Sequence, residues 1–255
     1  LFVPLGGTGE IGMNLNVYGH DGKWLIIDCG VTFGDPSLPG VDVMMADPTF
    51  IEERRKDLVG ILITHAHEDH VGAVAHLWSR LRCPVYATAF TAKILRRKLD
   101  EAGIAGKVKV HEVPLSGNIP LDPFDLTLVN MTHSIPEPSG VIMRTGAGTI
   151  YHTGDWKLDD GPMVGGSPDT DALRAVGEEG VLAMIGDSTN AMVDGHSGSE
   201  ADVHASLMDF VGTMENRVVF ACFASNVARV RTLAEVAHAH GRAVGLVGRS
   251  LWTMT

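Results

Sequence analysis

A group of residues able to bind metal stands in segment 64–70, which reads Thr-His-Ala-His-Glu-Asp-His. The apolar, β-branched run at 58–64 predicts a buried strand that leads into this segment, and apolar residues at helical spacing predict a helix at 71–81 after it. Imidazole and carboxylate groups at the end of one strand can converge on a single point. Neutral histidine and carboxylate are ligands of Zn²⁺, with Mn²⁺ as the alternative, so the segment predicts a metal site.

The order of these side chains predicts two metal positions. His65 and His67 lie on the same side of an extended segment, so both can bind one ion. Asp69 and His70 follow the bend and can bind a second ion. Glu68 stands between them, and we expect it to contact solvent or neighbouring side chains but neither metal.

Two later segments supply further ligands. His133 comes after the predicted strand 124–131, and Asp155 comes after the predicted strand 149–153. Asp155 can bridge two ions because a carboxylate has two oxygens, whereas His152, the competing ligand, sits inside the strand and fits a supporting role better. Two ions about 3.5–4 Å apart activate a shared water and hold the oxygens of a phosphodiester or acyl group.

The elements that must carry these ligands predict an α/β fold. Predicted strands are 2–5, 14–18, 23–28, 58–64, 84–87, 107–113, 124–131, 140–145, 149–153 and 181–187, the last of them buried, and predicted helices are 71–81 and 91–102. Beyond residue 199 the pattern changes to helix 200–214, strand 218–223, helix 226–240 and strand 243–247. The polar segment 194–199 marks the change and predicts two domains, 1–195 and 196–255.

A glycine-rich segment, 7–12, satisfies the pattern GxGxxG after a strand, and Asp28 ends a later strand. This pattern binds dinucleotides when a helix begins at the third glycine. The following residues instead contain an Asp21-Gly22 hairpin turn and show no helical spacing. The sequence therefore argues against a dinucleotide site.

Composition restricts the function classes. The 255 residues are 45% hydrophobic and 20% charged, which excludes general disorder. No apolar run reaches membrane-spanning length, and three widely spaced cysteines suit the cytoplasm. The net charge of −11 argues against a broad basic face that coats nucleic acid. The basic residues of 93–109 form either a solvated helix face or a local patch that attracts a polyanion.

The motifs around the ligands resemble those of the ribonuclease J family, in the β-CASP branch of the metallo-β-lactamase superfamily. They are GGTGEIGMN, THAHEDHVGA, THSIPEP, HTGDWKLD, GDSTNA, GHSGSE, FASNVARV and VGRS. The resemblance implies an αββα sandwich followed by the start of an inserted β-CASP α/β domain. It also implies a cytoplasmic enzyme of RNA processing and decay. Such an enzyme cleaves single-stranded RNA 5′ to 3′ from a 5′-monophosphate, has endonuclease activity too, and forms a homodimer or larger assembly.

The resemblance implies roles for individual residues. His65, His67 and His133 would bind one ion, Asp69 and His70 the other, with Asp155 bridging. Asp69 and Asp155 would thereby serve catalysis, and Glu200 would support a catalytic histidine from farther along the protein. The resemblance further implies that the chain stops inside the inserted domain, that the remaining ligands lie beyond Thr255, and that these 255 residues alone can be inactive.

The predicted helix after strand 218–223 is a candidate phosphate site. Ser225 is a suitable N-cap, and a helix N-terminus presents N–H groups to an anion. From the residues alone, simple capping of a structural helix is the better interpretation. With the resemblance, we expect backbone phosphate contacts at Ser225, Asn226 and Val227.

Two alternative functions stay open. A small-molecule metallo-hydrolase of the same superfamily would act on a thioester or lactone, but it would not need the elements after Asp194. A non-enzymatic subunit would keep the fold and some RNA contacts without turnover.

Overall fold

The computed structural model describes residues 1–255 and contains two stacked sheets. The strands of the first sheet are β1 (Phe2–Gly6), β2 (Leu15–His20), β3 (Lys23–Ile27), β6 (Leu58–Leu62), β7 (Val85–Ala87) and β8 (Val110–Glu112). Those of the second are β9 (Asn118–Leu121), β10 (Phe124–Asn130), β11 (Ser139–Thr145), β12 (Gly148–His152) and β13 (Ala183–Ile185). The first sheet has the order β1-β2-β3-β6-β7-β8, and the second has the order β13-β12-β11-β10-β9.

The remaining elements are a small hairpin and eight helices. The hairpin pairs β4 (Val31–Phe33) with β5 (Val43–Met45). The helices are α1 (Thr49–Glu52), α2 (Glu68–Val71), α3 (Val74–Leu81), α4 (Ala89–Glu101), α5 (Thr170–Glu179), α6 (Glu200–Gly212), α7 (Val227–Ala239) and α8 (Arg249–Met254). None of them is long and apolar enough to cross a membrane.

The apolar side chains divide into layers that follow the pleat of the strands. Leu25 and Ile27 of β3 pack with Leu126 and Leu128 of β10, which closes the space between the sheets. Alternate residues of β3, such as Ile26, face the other way and pack under α3 and α4. On the far side, α5 covers the outer face of the second sheet. The layers thus follow the predicted order helix, sheet, sheet, helix.

Parallel strands form the half of the first sheet that leads into the histidine segment 64–70. β3, β6, β7 and β8 are parallel neighbours, whereas β1, β2 and β3 form an antiparallel meander. The glycine-rich segment joins β1 to β2 without a helix, so it lacks the geometry of a dinucleotide fingerprint. The helix predicted at 71–81 begins earlier and is interrupted at 72–73, between α2 and α3.

Three strand predictions need correction. Segments 218–223 and 243–247 belong to no sheet, although both line one apolar cavity, because their backbones do not pair in a ladder of hydrogen bonds. Val219 and Val247 are accordingly more than four-fifths exposed. The strand predicted as buried at 181–187 is the shorter edge strand β13, and Met184 within it and Leu182 just before it are exposed. α5 and α8 were not predicted from the sequence.

Candidate metal centre

The predicted metal ligands come from the ends of three strands. The loop and short helix after β6 carry His65, His67, Asp69 and His70, while His133 follows β10 and Asp155 follows β12. β6 lies in the first sheet and the other two strands lie in the second, so the site forms where the two sheets meet at one edge of the sandwich. Residues separated by as many as 90 positions are thereby brought together.

Three imidazoles and one carboxylate form the first ligand cluster. Nδ1 of His67 lies 3.0 Å from Nε2 of His65 and 3.0 Å from Nε2 of His133. Oδ2 of Asp155 lies 3.9 Å from Nε2 of His65 and 3.6 Å from Nε2 of His133. All four ligand atoms lie within 4.8 Å of one another.

The second ligand cluster shares Asp155 with the first. Oδ1 of Asp155 lies 3.1 Å from Nε2 of His70, and that nitrogen lies 3.5 Å from Oδ2 of Asp69. Asp155 therefore turns one oxygen toward each cluster, which is the arrangement required of a bridging carboxylate.

Burial controls the protonation of the imidazoles. Loss of solvent lowers the pKa of His67 to about 4 and holds the pKa of His65 well below its usual value, with help from the neighbouring rings. Burial also lowers the pKa of His133, although Asp155 opposes the shift. Neutral imidazole is the form that binds a metal ion. His70 differs, because Asp28 and Asp155 outweigh its burial and raise its pKa.

A buried carboxylate that the sequence analysis did not select holds His70. Oδ2 of Asp28 lies 2.7 Å from Nδ1 of His70, which leaves Nε2 facing Asp155. Asp28 also accepts hydrogen bonds from the backbone N–H and hydroxyl of Thr64, and that hydroxyl lies 3.0 Å from Nδ1 of His65. One available signal was that Asp28 directly follows β3, the parallel neighbour of the strand that leads into the histidine segment.

Close backbone packing fixes the turn at Asp69. A Cβ on Gly30 would lie 1.6 Å from the Asp69 carbonyl oxygen, so only glycine fits there. The adjacent Cys29 N–H donates to the His70 carbonyl over 2.7 Å. The segment after β3 therefore supports the second cluster through its backbone as well as through Asp28.

Glu68 belongs to neither cluster. Its carboxylate forms an ion pair with Lys98 of α4, so it faces away from the ligands as expected. Two other basic residues of the 93–109 group are also neutralised, since Arg96 pairs with Glu112 and Arg97 with Glu101. This pairing favours the interpretation of a solvated helix face.

A polar cavity of about 680 Å³ opens beside the second cluster. Asp69, His70 and Asp155 lie on its wall, together with the glycine-rich segment 7–12 and the rim at 187–189. His152 also lines it, and its Nδ1 lies 2.8 Å from the hydroxyl of Tyr18. The glycine-rich segment thus forms part of the cavity wall.

Comparison with known proteins places this geometry in a family. Residues 23–215 match the family model described as beta-lactamase superfamily domain, which is more than half of the chain. The chain belongs to the β-lactamase superfamily. Residues 215–255 match a second model, described as ribonuclease J, beta-CASP domain.

Individual proteins named Ribonuclease J are similar to this chain over nearly all of its length. The chain is 46% identical over 255 residues to a protein named Ribonuclease J from Sinorhizobium meliloti, covering 98% of this chain and 45% of that protein. It is 41% identical to a Ribonuclease J from Mycolicibacterium smegmatis, covering 97% of this chain and 44% of that one. The chain thus spans about 45% of the length of these relatives.

A solved structure shares the fold at low sequence identity. A protein of unknown function from Enterococcus faecalis superposes with a TM-score of 0.63 at 15% identity, covering 93% of this chain and 62% of its own. This likeness concerns the fold alone.

Helix α7 of this β-lactamase superfamily chain begins beside the first cluster. The Ser225 carbonyl oxygen lies 3.4 Å from Nε2 of His67, and the Ala228 N–H donates to the Ser134 carbonyl. The N-cap is Asn226 rather than the predicted Ser225, because the Asn226 side chain reaches the Arg229 N–H at 2.8 Å. The start of α7 therefore lies near the metal ligands.

Most backbone donors at the start of α7 already have partners. The Asn226 N–H donates to Phe223 and the Val227 N–H donates to Ser225, whereas the N–H and hydroxyl of Ser225 have no partner within the chain. The Ser225 groups are therefore the donors that the structure leaves available to a phosphate.

Glu200 lies at the start of α6 and belongs to neither ligand cluster. Its carboxylate forms a two-point ion pair with Arg229, at 2.6 Å and 3.1 Å. This pair links α6 to α7.

The donor set fits divalent metal. Neutral imidazoles and carboxylates that converge without a lysine or arginine among them are the ligands preferred by Zn²⁺ and Mn²⁺. The support from Asp28 and Thr64 matches the hydrogen-bonded surroundings of metal-binding histidines. The chemistry of both clusters therefore fits a divalent metal ion.

Proposed function

We propose that the protein is a metal-dependent ribonuclease that hydrolyses phosphodiester bonds of single-stranded RNA with two divalent ions, Zn²⁺ or alternatively Mn²⁺. The observation that carries this proposal is the position of Asp155, which turns Oδ1 toward one ligand cluster and Oδ2 toward the other. A site for two ions suits phosphodiester hydrolysis. RNA as the substrate is supported by the ribonuclease J relatives and by the β-CASP match.

The ligands divide between the two ions. His65, His67 and His133 would hold one ion, Asp69 and His70 would hold the other, and Asp155 would contact both. When bound, the ions supply Lewis-acid stabilisation of charge on the phosphate and activation of the attacking water. The protein contributes neutral imidazoles, since burial keeps their pKa low, and the fixed orientation of His70 on Asp28.

The substrate would approach through the polar cavity beside the second cluster. Ser225 would contact a phosphate through its unpaired N–H and hydroxyl, with Asn226 and Val227 completing the turn. Glu200 would position a catalytic histidine that comes from elsewhere in the complete protein, and its pair with Arg229 would hold α6 in place for that role.

The mode of action that we propose is the one implied by the resemblance to the ribonuclease J family. The enzyme would degrade RNA 5′ to 3′ from a 5′-monophosphate and would also cut internally, as part of RNA processing and decay in the cytoplasm. It would act as a homodimer or larger assembly. The predicted boundary between domains 1–195 and 196–255 falls in the loop between β13 and α6 and would separate the metal-binding part from the β-CASP part.

The test uses the full-length protein, freed of metal by a chelator and reloaded with Zn²⁺ or Mn²⁺. Bound metal is counted, and turnover is measured on one oligoribonucleotide with a 5′-phosphate or a 5′-hydroxyl end, and on a thioester and a lactone. We expect RNA cleavage with preference for the 5′-phosphate and two ions per chain. Turnover of the thioester or lactone without RNA cleavage would establish a small-molecule hydrolase, and metal binding without any turnover would establish a non-enzymatic subunit.

A further inference from the structure

Tyr18 and His152 form a buried pair that the proposed metal chemistry does not use. Tyr18 lies on β2 of the first sheet and His152 ends β12 of the second, and both are 5% exposed or less. The Tyr18 hydroxyl lies 2.8 Å from Nδ1 of His152, and the two rings meet edge to face. The pair therefore connects the two sheets three residues before Asp155.

The hydrogen bond fixes which nitrogen of His152 carries the proton. Burial and the charge of Asp28 raise the pKa of Tyr18, so the phenol keeps its proton. Within the chain, the hydrogen-bond partner of the Tyr18 hydroxyl is Nδ1 of His152. Tyr18 therefore donates and Nδ1 accepts. Burial lowers the pKa of His152 to about 4, which keeps the ring neutral. A neutral ring that accepts at Nδ1 carries its hydrogen on Nε2.

Nε2 of His152 is open to the cavity. It has no hydrogen-bond partner within the chain. The only fully buried side-chain atoms without a partner belong to Asn130 and Thr232, so Nε2 of His152 is not fully buried. His152 lines the 680 Å³ cavity next to Asp155. The chain thus presents a neutral N–H donor, fixed by Tyr18, to whatever occupies that cavity.

The lining of the cavity indicates what this donor meets. No lysine or arginine lines the cavity, whereas Glu10, Asp69, Asp155 and Asp187 do. An anion there would depend on the metal ions to balance its charge and on neutral donors to fix its position. A phosphate group of the RNA fits both requirements, because its non-bridging oxygens accept hydrogen bonds and bind metal.

We propose that His152 donates a hydrogen bond from Nε2 to a phosphate oxygen of RNA in this cavity, and that Tyr18 is a positioning residue that fixes the donor. The inference rests on the proposed ribonuclease function. His152 then acts on substrate binding, while metal binding stays with the two clusters.

The test compares Tyr18→Phe, His152→Phe, His152→Gln and the double variant Tyr18→Phe/His152→Phe in the full-length, metal-loaded protein. We expect His152→Phe to raise KM for a short 5′-phosphorylated RNA about tenfold with little change in kcat, as loss of one hydrogen bond to a charged group would. His152→Gln, which keeps an N–H donor, should recover part of the loss. Tyr18→Phe should raise KM less, and it should add nothing to His152→Phe because it acts through that residue.

A second measurement identifies the acceptor. A set of RNAs, each with one neutral methylphosphonate linkage, should show one position near the cleaved end that weakens binding to the wild type but not to His152→Phe. Metal content and thermal unfolding of each variant serve as controls. Unchanged KM in His152→Phe, or equal sensitivity to every linkage in both proteins, would overturn the inference while leaving the ribonuclease intact. Absence of RNA cleavage by the wild type would instead overturn the proposed function.

Discussion

The carboxylate of Asp28 lies 2.7 Å from Nδ1 of His70, and both side chains are buried. This contact turns Nε2 of His70 toward Asp155, 3.1 Å away. The same carboxylate binds the backbone and hydroxyl of Thr64, whose hydroxyl lies against His65. A single buried group therefore orients one histidine of each ligand cluster.

We expect Asp28→Asn to weaken metal binding by about 10–100-fold, the usual effect of removing the group that holds a metal-binding histidine. The amide cannot favour the tautomer of His70 as the carboxylate does. Competition of the protein with a chelator for Zn²⁺ measures the change. Asp57→Asn is the matched control, since Asp57 forms a surface ion pair with Lys23. Equal metal affinity in the two variants would show that Asp28 has no such role.

We expect His67→Ala to abolish RNA cleavage by the full-length protein while leaving its fold intact. His67 contacts the two other imidazoles of the first cluster but lies outside the apolar core. Cleavage rate, metal content and the circular dichroism spectrum are the measurements. His238→Ala changes an exposed histidine of α7 and should behave as wild type. Full activity of His67→Ala with unchanged metal content would refute the assignment.

We expect Asp155→Asn to reduce the amount of bound metal much more than Glu68→Gln does. A neutral amide cannot offset the charge of two ions, and Asp155 faces both clusters, whereas Glu68 pairs with Lys98. Elemental analysis after dialysis against buffered metal gives the comparison. If both variants lost metal equally, Asp155 would not be the shared ligand.

Asp159, which lies in the segment between β12 and α5, ties that segment to the start of α6. Burial opposes its ionisation, but hydrogen bonds from the Ser199 hydroxyl, the Gly161 N–H, Lys157 and the Glu200 N–H outweigh burial and lower its pKa to about 2. We expect Asp159→Asn to lower the free energy of unfolding by about 2 kcal/mol at pH 7, a usual loss for hydrogen bonds to a charged group.

The pH dependence of this contribution has a definite sign. The folded pKa lies below the usual 3.8, so the stabilisation is complete above about pH 4 and disappears as the pH falls toward 2. The difference in the free energy of unfolding between wild type and Asp159→Asn, measured in urea from pH 7 to pH 3, should therefore shrink below about pH 4. Asp160→Asn, at the exposed neighbouring residue, is the control. A difference that grows with acidity would contradict the assignment.

RNA affinity should depend weakly on salt and strongly on the 5′-phosphate. The chain carries a net charge of −11, and Arg96, Arg97 and Lys98 of the basic group are already paired. At roughly −0.7 per neutralised phosphate on a single strand, a few local contacts give a slope of about −2 to −4. Binding of non-hydrolysable RNA analogues, with 5′-phosphate and 5′-hydroxyl ends, to the metal-loaded full-length protein across a salt series measures this slope. A steep slope without preference for the phosphate would indicate a broad basic track elsewhere in the protein.

The types and order of the ligands could be predicted from the sequence because their signals are local. A histidine-rich segment between a strand and a helix, and a histidine or aspartate after a strand, are visible within about ten residues. The same local patterns predicted most strands of the sandwich, since alternation of apolar residues depends on one strand at a time. They failed at 218–223 and 243–247, because a strand also requires a ladder of backbone hydrogen bonds to a partner, and these segments form none.

Only the tertiary structure decided which groups meet. Asp28 is 42 residues from His70 and Tyr18 is 134 residues from His152, and no periodicity in the sequence connects either pair. Each pair forms because strand order places its two residues side by side, beyond the ends of the neighbouring strands β3 and β6 for Asp28 and across the two sheets for Tyr18. The sequence by itself determined the chemistry of the ligands. Sheet pairing and packing decided their orientation, because these depend on contacts between distant parts of the chain.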